Sequence, residues 1–342
     1  MLHGEGNENH IFASTEMRMT HVIRIHSHGD AGVLRWEELQ PAPPGPREVL
    51  LRQTACGLNF IDIYQRDGLY PAGKLPAVLG MEAAGVVEAL GEGVEHLVVG
   101  DRVAYPMCQG AYAQARVISA DKLVRLPETI SDRQAAAIML KGLTAHYLLF
   151  RSYPVQRGDS ILVYAAAGGV GLLLSQWARH LGARVIGCVG SEEKAELALA
   201  NGCDHTILYR DEDIPAKVRE FTNGEGVAAA YDSVGKATFM ASLDSLRPLG
   251  VMVSYGNASG PVESFSPGIL APKGSLYVTR PTLATHIATR ELLEDGARRL
   301  FAAVSDGLLH IQINQSYPLS ETAQAQRDLE ARKTTGSTVL LP

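Results

Sequence analysis

The stretch SILVYAAAGGVGLLLSQWARH, residues 160–180, decides the fold. It opens with an apolar, β-branched run suited to a strand buried on both faces and closes with a helical pattern. Between them, Ala166-Ala167-Gly168-Gly169-Val170-Gly171 fits the G-x-G-x-x-G frame, with Ala166 first, Gly168 second and Gly171 third. Gly168 allows a backbone to approach a pyrophosphate, and Gly171 allows the helix to pack close to the strand. The helix N-terminus adds amide hydrogens and the positive end of a dipole. Ala166, Gly168, Gly169 and Val170 are therefore expected to hold the phosphates of a dinucleotide.

A glycine-rich turn is a weak signal alone, but its surroundings repeat. Strand-like runs recur at 184–189, 205–209, 227–234, 251–256 and 275–279, with helical patterns at about 170–181, 192–201, 212–222 and 236–247. That alternation predicts an α/β, doubly wound parallel sheet of six strands with right-handed crossovers. Upstream, from about 20 to 130, short β-rich runs at 48–56, 83–90, 100–106 and 111–118 are broken by Gly and Pro, as in a mostly antiparallel β domain. A helix-like stretch at 132–150 marks the change of texture. After Pro281 come a long helical pattern (285–306), a strand-like run (310–319), a helix (320–332) and a closing strand, all expected to return to the first domain. Residues 1–19 read as a loose, flexible tail or an upstream start without a role in the fold.

With 342 residues, 46% hydrophobic and 20% charged, the chain is long enough for two domains of roughly 150 residues. The formal charge of −6 and the scattered basic residues give no footprint for nucleic acid or anionic lipid. No apolar run reaches the roughly 20 residues of a membrane span, and the first residues lack a secretory h-region. Cys56, Cys108, Cys188 and Cys203 show no metal or disulfide framework. A cytoplasmic protein acting on a small molecule is expected. His26 and His28 read as a polar surface turn, and Cys56 as inert packing.

The second strand ends in Val189-Gly190-Ser191, without the acid that binds a ribose 2′-hydroxyl. With Gly190 and Ser191 there, and Lys194 and Tyr209-Arg210 within reach, NADPH is the expected cofactor. Lys194 has an alternative reading as a solvated position on an exposed helix.

The segments ACGLNFIDIYQRDGLYP (55–71), LPAVLGMEAAGVVEALGEGV (75–94), MLKGLTAHYLL (139–149), YAAAGGVG (164–171) and GSTVLLP (336–342) resemble the medium-chain dehydrogenase/reductase superfamily. Within it, they are most similar to the NADPH-dependent, zeta-crystallin-like quinone oxidoreductases. The resemblance implies a GroES-like domain (20–140 and 285–342) interrupted by a Rossmann domain (141–284), with the active site between them. It implies Asn59, Asp62, Tyr64 and Thr144 near the nicotinamide, Tyr255 and Asn257 near the cofactor, and Arg332 over its phosphate side. It also implies a homodimer formed through the last Rossmann strand.

Zinc-dependent relatives place metal ligands where this chain has Asn59, Met81 and about Leu140, which supply no suitable tetrahedral set, so no metal is expected. Asn59 is expected to hydrogen-bond cofactor or substrate, and Tyr64 to donate a proton. If the segment is helical, Asn59 and Asp62 share a face, and the three residues can instead simply cap and pack that helix. Quinone reduction is the leading expectation. The alternatives are enal or enone double-bond reduction, and a non-catalytic NADPH- or RNA-binding module.

Overall fold

A computed structural model describes residues 19–342. The reading of 1–19 as a tail lies, except for Met19, outside the described residues.

The first part of the chain forms β1 (Thr20–Ile25), β2 (Arg35–Leu39), β3 (Glu48–Gly57), α1 (Phe60–Asp67), β4 (Ala77–Val78), β5 (Glu82–Leu90), β6 (Arg102–Pro106), β7 (Ala115–Ser119) and β8 (Val124–Arg125). These strands pair antiparallel, in one sheet ordered β2-β1-β4 and a larger one built on β3, β5, β6 and β8, with β7 also on β3. The expected strand at 111–118 starts only at Ala115. Before it, the Tyr112 carbonyl accepts from Ile23 N and Gln114 N donates to the His21 carbonyl, so that backbone serves β1 instead.

Helix α2 (Asp132–Tyr147) begins in a capping box between Ser131 and Gln134. It is buried almost all round, as expected of a helix with core on both sides. One side meets β3, β5 and β6, and another meets α3 (Gly169–His180). The division expected at 140/141 falls inside this helix.

Six strands follow: β9 (Ser160–Tyr164), β10 (Arg184–Val189), β11 (His205–Leu208), β12 (Val227–Asp232), β13 (Leu246–Ser254) and β14 (Tyr277–Thr279). Every pairing is parallel and the order is β11-β10-β9-β12-β13-β14. The winding therefore reverses between β9 and β12, and a doubly wound sheet opens its ligand crevice at such a switch point, beyond the carboxyl ends of the strands. Between them run α3, α4 (Glu192–Ala200), α5 (Ile214–Phe221) and α6 (Phe239–Asp244).

Helix α6 is much shorter than the 236–247 expected. Buried Asp232, at the end of β12, accepts from the Thr238 hydroxyl (2.7 Å), the Ser242 hydroxyl (2.8 Å) and two backbone amides, which winds the chain tightly around it. Leu246 then pairs with Val227, so β13 starts five residues before the expected strand. The long helical pattern at 285–306 is broken into α7 (Leu283–His286) and α8 (Arg290–Ser305), because the Thr289 hydroxyl caps a new helix at Leu292 N.

The chain returns through β15 (Ile313–Pro318), α9 (Thr322–Glu330) and β16 (Ser337–Leu341). β16 joins β3 antiparallel, and β15 adds to β16 in parallel. The two histidines do not share a turn-bound partner: exposed His26 contacts Glu37 at 2.7 Å, whereas His28 Nδ1 lies 3.0 Å from the Gln65 carbonyl at the end of α1. Among the described residues no helix is long and apolar enough to cross a membrane.

The close approach of α3 to β9 gives a direct test. A Cβ on Gly171 would lie 2.3 Å from the Ala165 carbonyl oxygen and 2.7 Å from Ala166 Cα, both backbone atoms that have nowhere to go. Gly171→Ala is expected to cost about 1–3 kcal/mol, read as a lowered urea midpoint. Gly268→Ala, which meets only a hydroxyl at 3.4 Å, is expected to stay within about 0.5 kcal/mol of the parent.

Candidate active site

The phosphate-binding turn follows β9 directly. Ala165 takes a left-handed conformation (φ 50°), and its carbonyl accepts from Gly168 N at 2.8 Å, which folds the chain back into α3. Gly168 caps α3, and Gly169 and Val170 begin it, where the helical ladder leaves amides without partners. Ala166 is buried and its methyl fills the space a side chain on Gly187 would need. Gly336 N donates to the Ala167 carbonyl at 2.9 Å, so the run into β16 braces the turn from the other domain.

Beyond the end of β10, three separate segments converge. Ser191 caps α4, accepting from Lys194 N. Lys194 Nζ donates to the Arg332 carbonyl at 2.6 Å, and Arg332 Nη1 donates to the Tyr209 hydroxyl at 2.9 Å. A Cβ on Gly190 would lie 2.9 Å from that hydroxyl, so glycine is what admits Tyr209. Partial burial pulls the Lys194 pKa below its usual value, and nearby Arg210 and Arg332 add to the effect while Tyr209 opposes it. Glu193 offsets only part of this repulsion, and a cluster of this kind fits a phosphomonoester dianion, which would relieve it and accept further hydrogen bonds. With the open backbone at Gly168, the residues present fit a 2′-phosphorylated dinucleotide.

The cleft-facing residues are organised by a group that sequence reasoning missed. Glu82, fully buried at the start of β5, accepts from Asn59 Nδ2 (2.8 Å), Lys141 Nζ (3.0 Å) and Leu140 N (2.6 Å). The Lys141 stem lies against the phosphate turn, since a Cβ on Gly169 would come within 2.6 Å of its Cδ. A glutamate in LGMEAAGVV and a lysine in AAAIMLKGLTA, each alone in an apolar run, were the available signal, because such charges are buried only when paired. Thr144 is buried one turn further along α2. Among the described residues no three His, Cys, Asp or Glu side chains are grouped to hold a metal.

Asn59 caps α1 and Asp62 is its N3 residue, with Asp62 Oδ2 accepting from Asn59 N at 2.8 Å and from the Tyr112 hydroxyl at 2.6 Å. The capping alternative is thus the arrangement Asp62 adopts. Its carboxyl is fully buried and its Oδ1 has no partner. Burial pushes its pKa up to about 7, against the two hydrogen bonds that favour the anion. Cys56 is likewise buried, with its thiol raised by burial, as inert packing requires.

Tyr64, buried on the same helix, accepts at its hydroxyl from Asn257 N at 3.1 Å. Burial first, and the neighbouring Tyr70 as well, push its pKa up to about 12. The hydrogen-bond network orients the Asn257 amide oxygen toward the Tyr70 hydroxyl (2.8 Å) and Arg280 Nη2 (3.3 Å). Arg280 also donates to the Ser254 carbonyl and to Tyr70. Tyr255 follows β13 beside this group, with its hydroxyl pKa raised by burial. Tyr70 and Arg280 were not anticipated; they lie in loops whose meeting depends on how the two domains pack.

A family model described as "Alcohol dehydrogenase GroES-like domain" matches residues 45–128, and one described as "Zinc-binding dehydrogenase" matches 169–295. The chain is 52% identical to a quinone oxidoreductase of Pseudomonas aeruginosa, over 94% of this chain and 99% of that one. It is 46% identical to a 2-haloacrylate reductase of a Burkholderia species, over 93% and 98% respectively. A solved structure of Escherichia coli quinone oxidoreductase complexed with NADPH superposes with a TM-score of 0.92 at 46% identity, covering 94% of this chain and all of that one.

Two outcomes test the buried charges. Lys141→Met leaves Glu82 buried and unpaired, so a loss of about 3–5 kcal/mol is expected by chemical denaturation, with much of it recovered in Lys141→Met/Glu82→Gln. Asp62 has a folded-state pKa near 7, above its unfolded value of 3.8, so between those values the folded state binds the extra proton. Stability is then expected to fall as pH rises through this window, by up to about 1.4 kcal/mol per unit, and Asp62→Asn should remove that slope.

Proposed function

The chain belongs to the quinone oxidoreductase family of the medium-chain dehydrogenases/reductases, and on that premise we propose that it is a zinc-independent enzyme reducing quinones with NADPH in the interdomain cleft. The observation that carries this reading is the convergence of Lys194, Tyr209 and Arg332 beside an acid-free strand end, one strand away from a glycine turn braced by the other domain.

Gly169 and Val170 hold the pyrophosphate with backbone amides, Gly168 lets it approach the turn, and Ala166 seats them. Gly190, Ser191, Lys194, Tyr209 and Arg332 take the 2′-phosphate side. When bound, the reduced nicotinamide supplies a hydride. The protein's own part is to orient and to exclude water. Glu82 and Lys141 fix the Asn59 amide at the base of the cleft, with Thr144 beside them on α2. Tyr255 and Asn257 form the wall beyond β13. Tyr64 keeps its proton at neutral pH, because its pKa lies near 12, and its hydroxyl donates a hydrogen bond to the oxygen of the acceptor. A reduced quinone is aromatic and spreads its charge, so placement supplies most of the acceleration and strong acid catalysis is unnecessary.

A second reading, reduction of activated carbon–carbon double bonds, is supported by the similarity to a 2-haloacrylate reductase. The net charge of −6 speaks against an RNA-binding role. The domains are assigned to 20–140 with 285–342, and to 141–284. β14 lies at the edge of its sheet with Tyr277 exposed, and pairing of two such edges would form a homodimer. Four free cysteines suit a reducing, cytoplasmic setting.

NADPH consumption with 1,4-naphthoquinone is expected to exceed that with a 2-alkenal and that with NADH. Lys194→Ala and Arg332→Ala should each lower kcat/KM for NADPH about tenfold, equivalent to about 1.4 kcal/mol, while changing the NADH value little. Turnover confined to alkenals would favour the second reading, and tight NADPH binding without any turnover would overturn both.

A further inference from the structure

Arg66 sits near the end of α1, a helix of the substrate side, yet it is 2% exposed. Its guanidinium is held on every side: Nε donates to the Gly29 carbonyl (3.0 Å), Nη1 to Gln326 (2.8 Å) and to Glu330 (3.0 Å), and Nη2 to Glu330 (2.7 Å). The fork on Glu330 is bidentate, the geometry that fixes direction as well as distance. Gln326 and Glu330 belong to the last turns of α9.

Two residues after Glu330 the chain reaches Arg332, which is left-handed (φ 58°) where the helix ends. That conformation costs a non-glycine residue about 1–2 kcal/mol and persists only where the surroundings over-determine it. From this one residue the pocket draws two contacts: its carbonyl receives Lys194 Nζ and its guanidinium reaches Tyr209. Arg66 is buried but the Glu330 side chain is 38% exposed, so solvent screening limits what the pair adds to stability, and its bidentate geometry serves to set orientation.

We infer that the Arg66–Glu330 pair is the positioning element of the phosphate-selective pocket: by locking the end of α9 it places Arg332, and through Arg332 Lys194, for a 2′-phosphate. The inference rests on the NADPH reading given above. Neither Arg66 nor Glu330 touches the pocket; they act through Arg332.

The test compares equilibrium dissociation constants of NADPH and NADH, measured by fluorescence on the intact protein, for wild type, Glu330→Gln, Glu330→Ala and the double variant Arg66→Met/Glu330→Met. The double variant leaves no buried charge unpaired, which guards against simple failure to fold. The NADPH-to-NADH ratio within one sample is independent of the folded fraction. The expected result is NADPH binding weakened five- to twentyfold in all three variants, with NADH within twofold and KM for NADPH rising more than kcat falls. Lys333→Ala, an exposed neighbour paired with Asp328, should leave the ratio unchanged. Equal weakening of both cofactors, or no weakening, in a wild-type background that does discriminate overturns the inference alone. A wild type that binds both cofactors alike overturns the NADPH reading and the inference with it.

Discussion

The carboxylate of Glu82 is the constraint on which the cleft depends. Buried with no water to solvate it, it must be satisfied by protein donors, and the three it finds come from the cap of α1, the backbone of α2 and the side chain of Lys141. One oxygen-bearing group thereby registers a strand and two helices against each other. Because the Lys141 stem rests on Gly169, the same registration extends to the phosphate turn in the other domain. A charge at this depth is costly, so the arrangement has few neighbouring alternatives, and the base of the cleft is rigid for that reason.

The two ends of the proposed cofactor site are built on opposite electrostatic principles. Around Asn59 the charges are balanced, Glu82 against Lys141, with the neutral Asn59 amide held by the carboxylate. Around Arg332 cations predominate, with Lys194 and Arg210 nearby and Tyr209 and Glu193 opposing them only in part, so a bound anion would add to the balance. The tyrosine pair Tyr64 and Tyr70 closes the gap by hydrogen-bonding across to Asn257 and Arg280, which makes the cleft a joint between domains rather than an open groove.

Much of this was legible before any coordinates. The alternation after residue 131 marks six parallel strands in the expected order, with β13 starting five residues early, and the turn that begins at Ala166 leads from β9 into α3. Gly190, Ser191, Lys194, Tyr209 and Arg332 were named from three stretches of chain and are in fact neighbours. The failures have local causes. Helix α6 was read too long because apolar spacing at 236–247 does not show that Asp232 gathers Thr238 and Ser242. For Asp62 a place near the nicotinamide and a capping role were both open, since a carboxylate three residues from Asn59 fits either, and its bond to Asn59 N and burial against Tyr112 show the cap.

What the sequence alone determined is whatever depends on period and local backbone chemistry: the parallel sheet, the glycine turn, the absence of an acid at Val189-Gly190-Ser191 where β10 ends, and the poor metal ligands at Asn59, Met81 and Leu140. These are carried by residues close together in the chain, whose spacing dictates how they fold. What only the tertiary structure decided is the pairing of charged and polar groups far apart in sequence: Glu82 with Lys141, Arg66 with Glu330, and the Tyr70 hydroxyl with Arg280. A charged side chain announces that it needs a partner, but which partner is set by the packing of whole elements, and that information is absent from any local pattern.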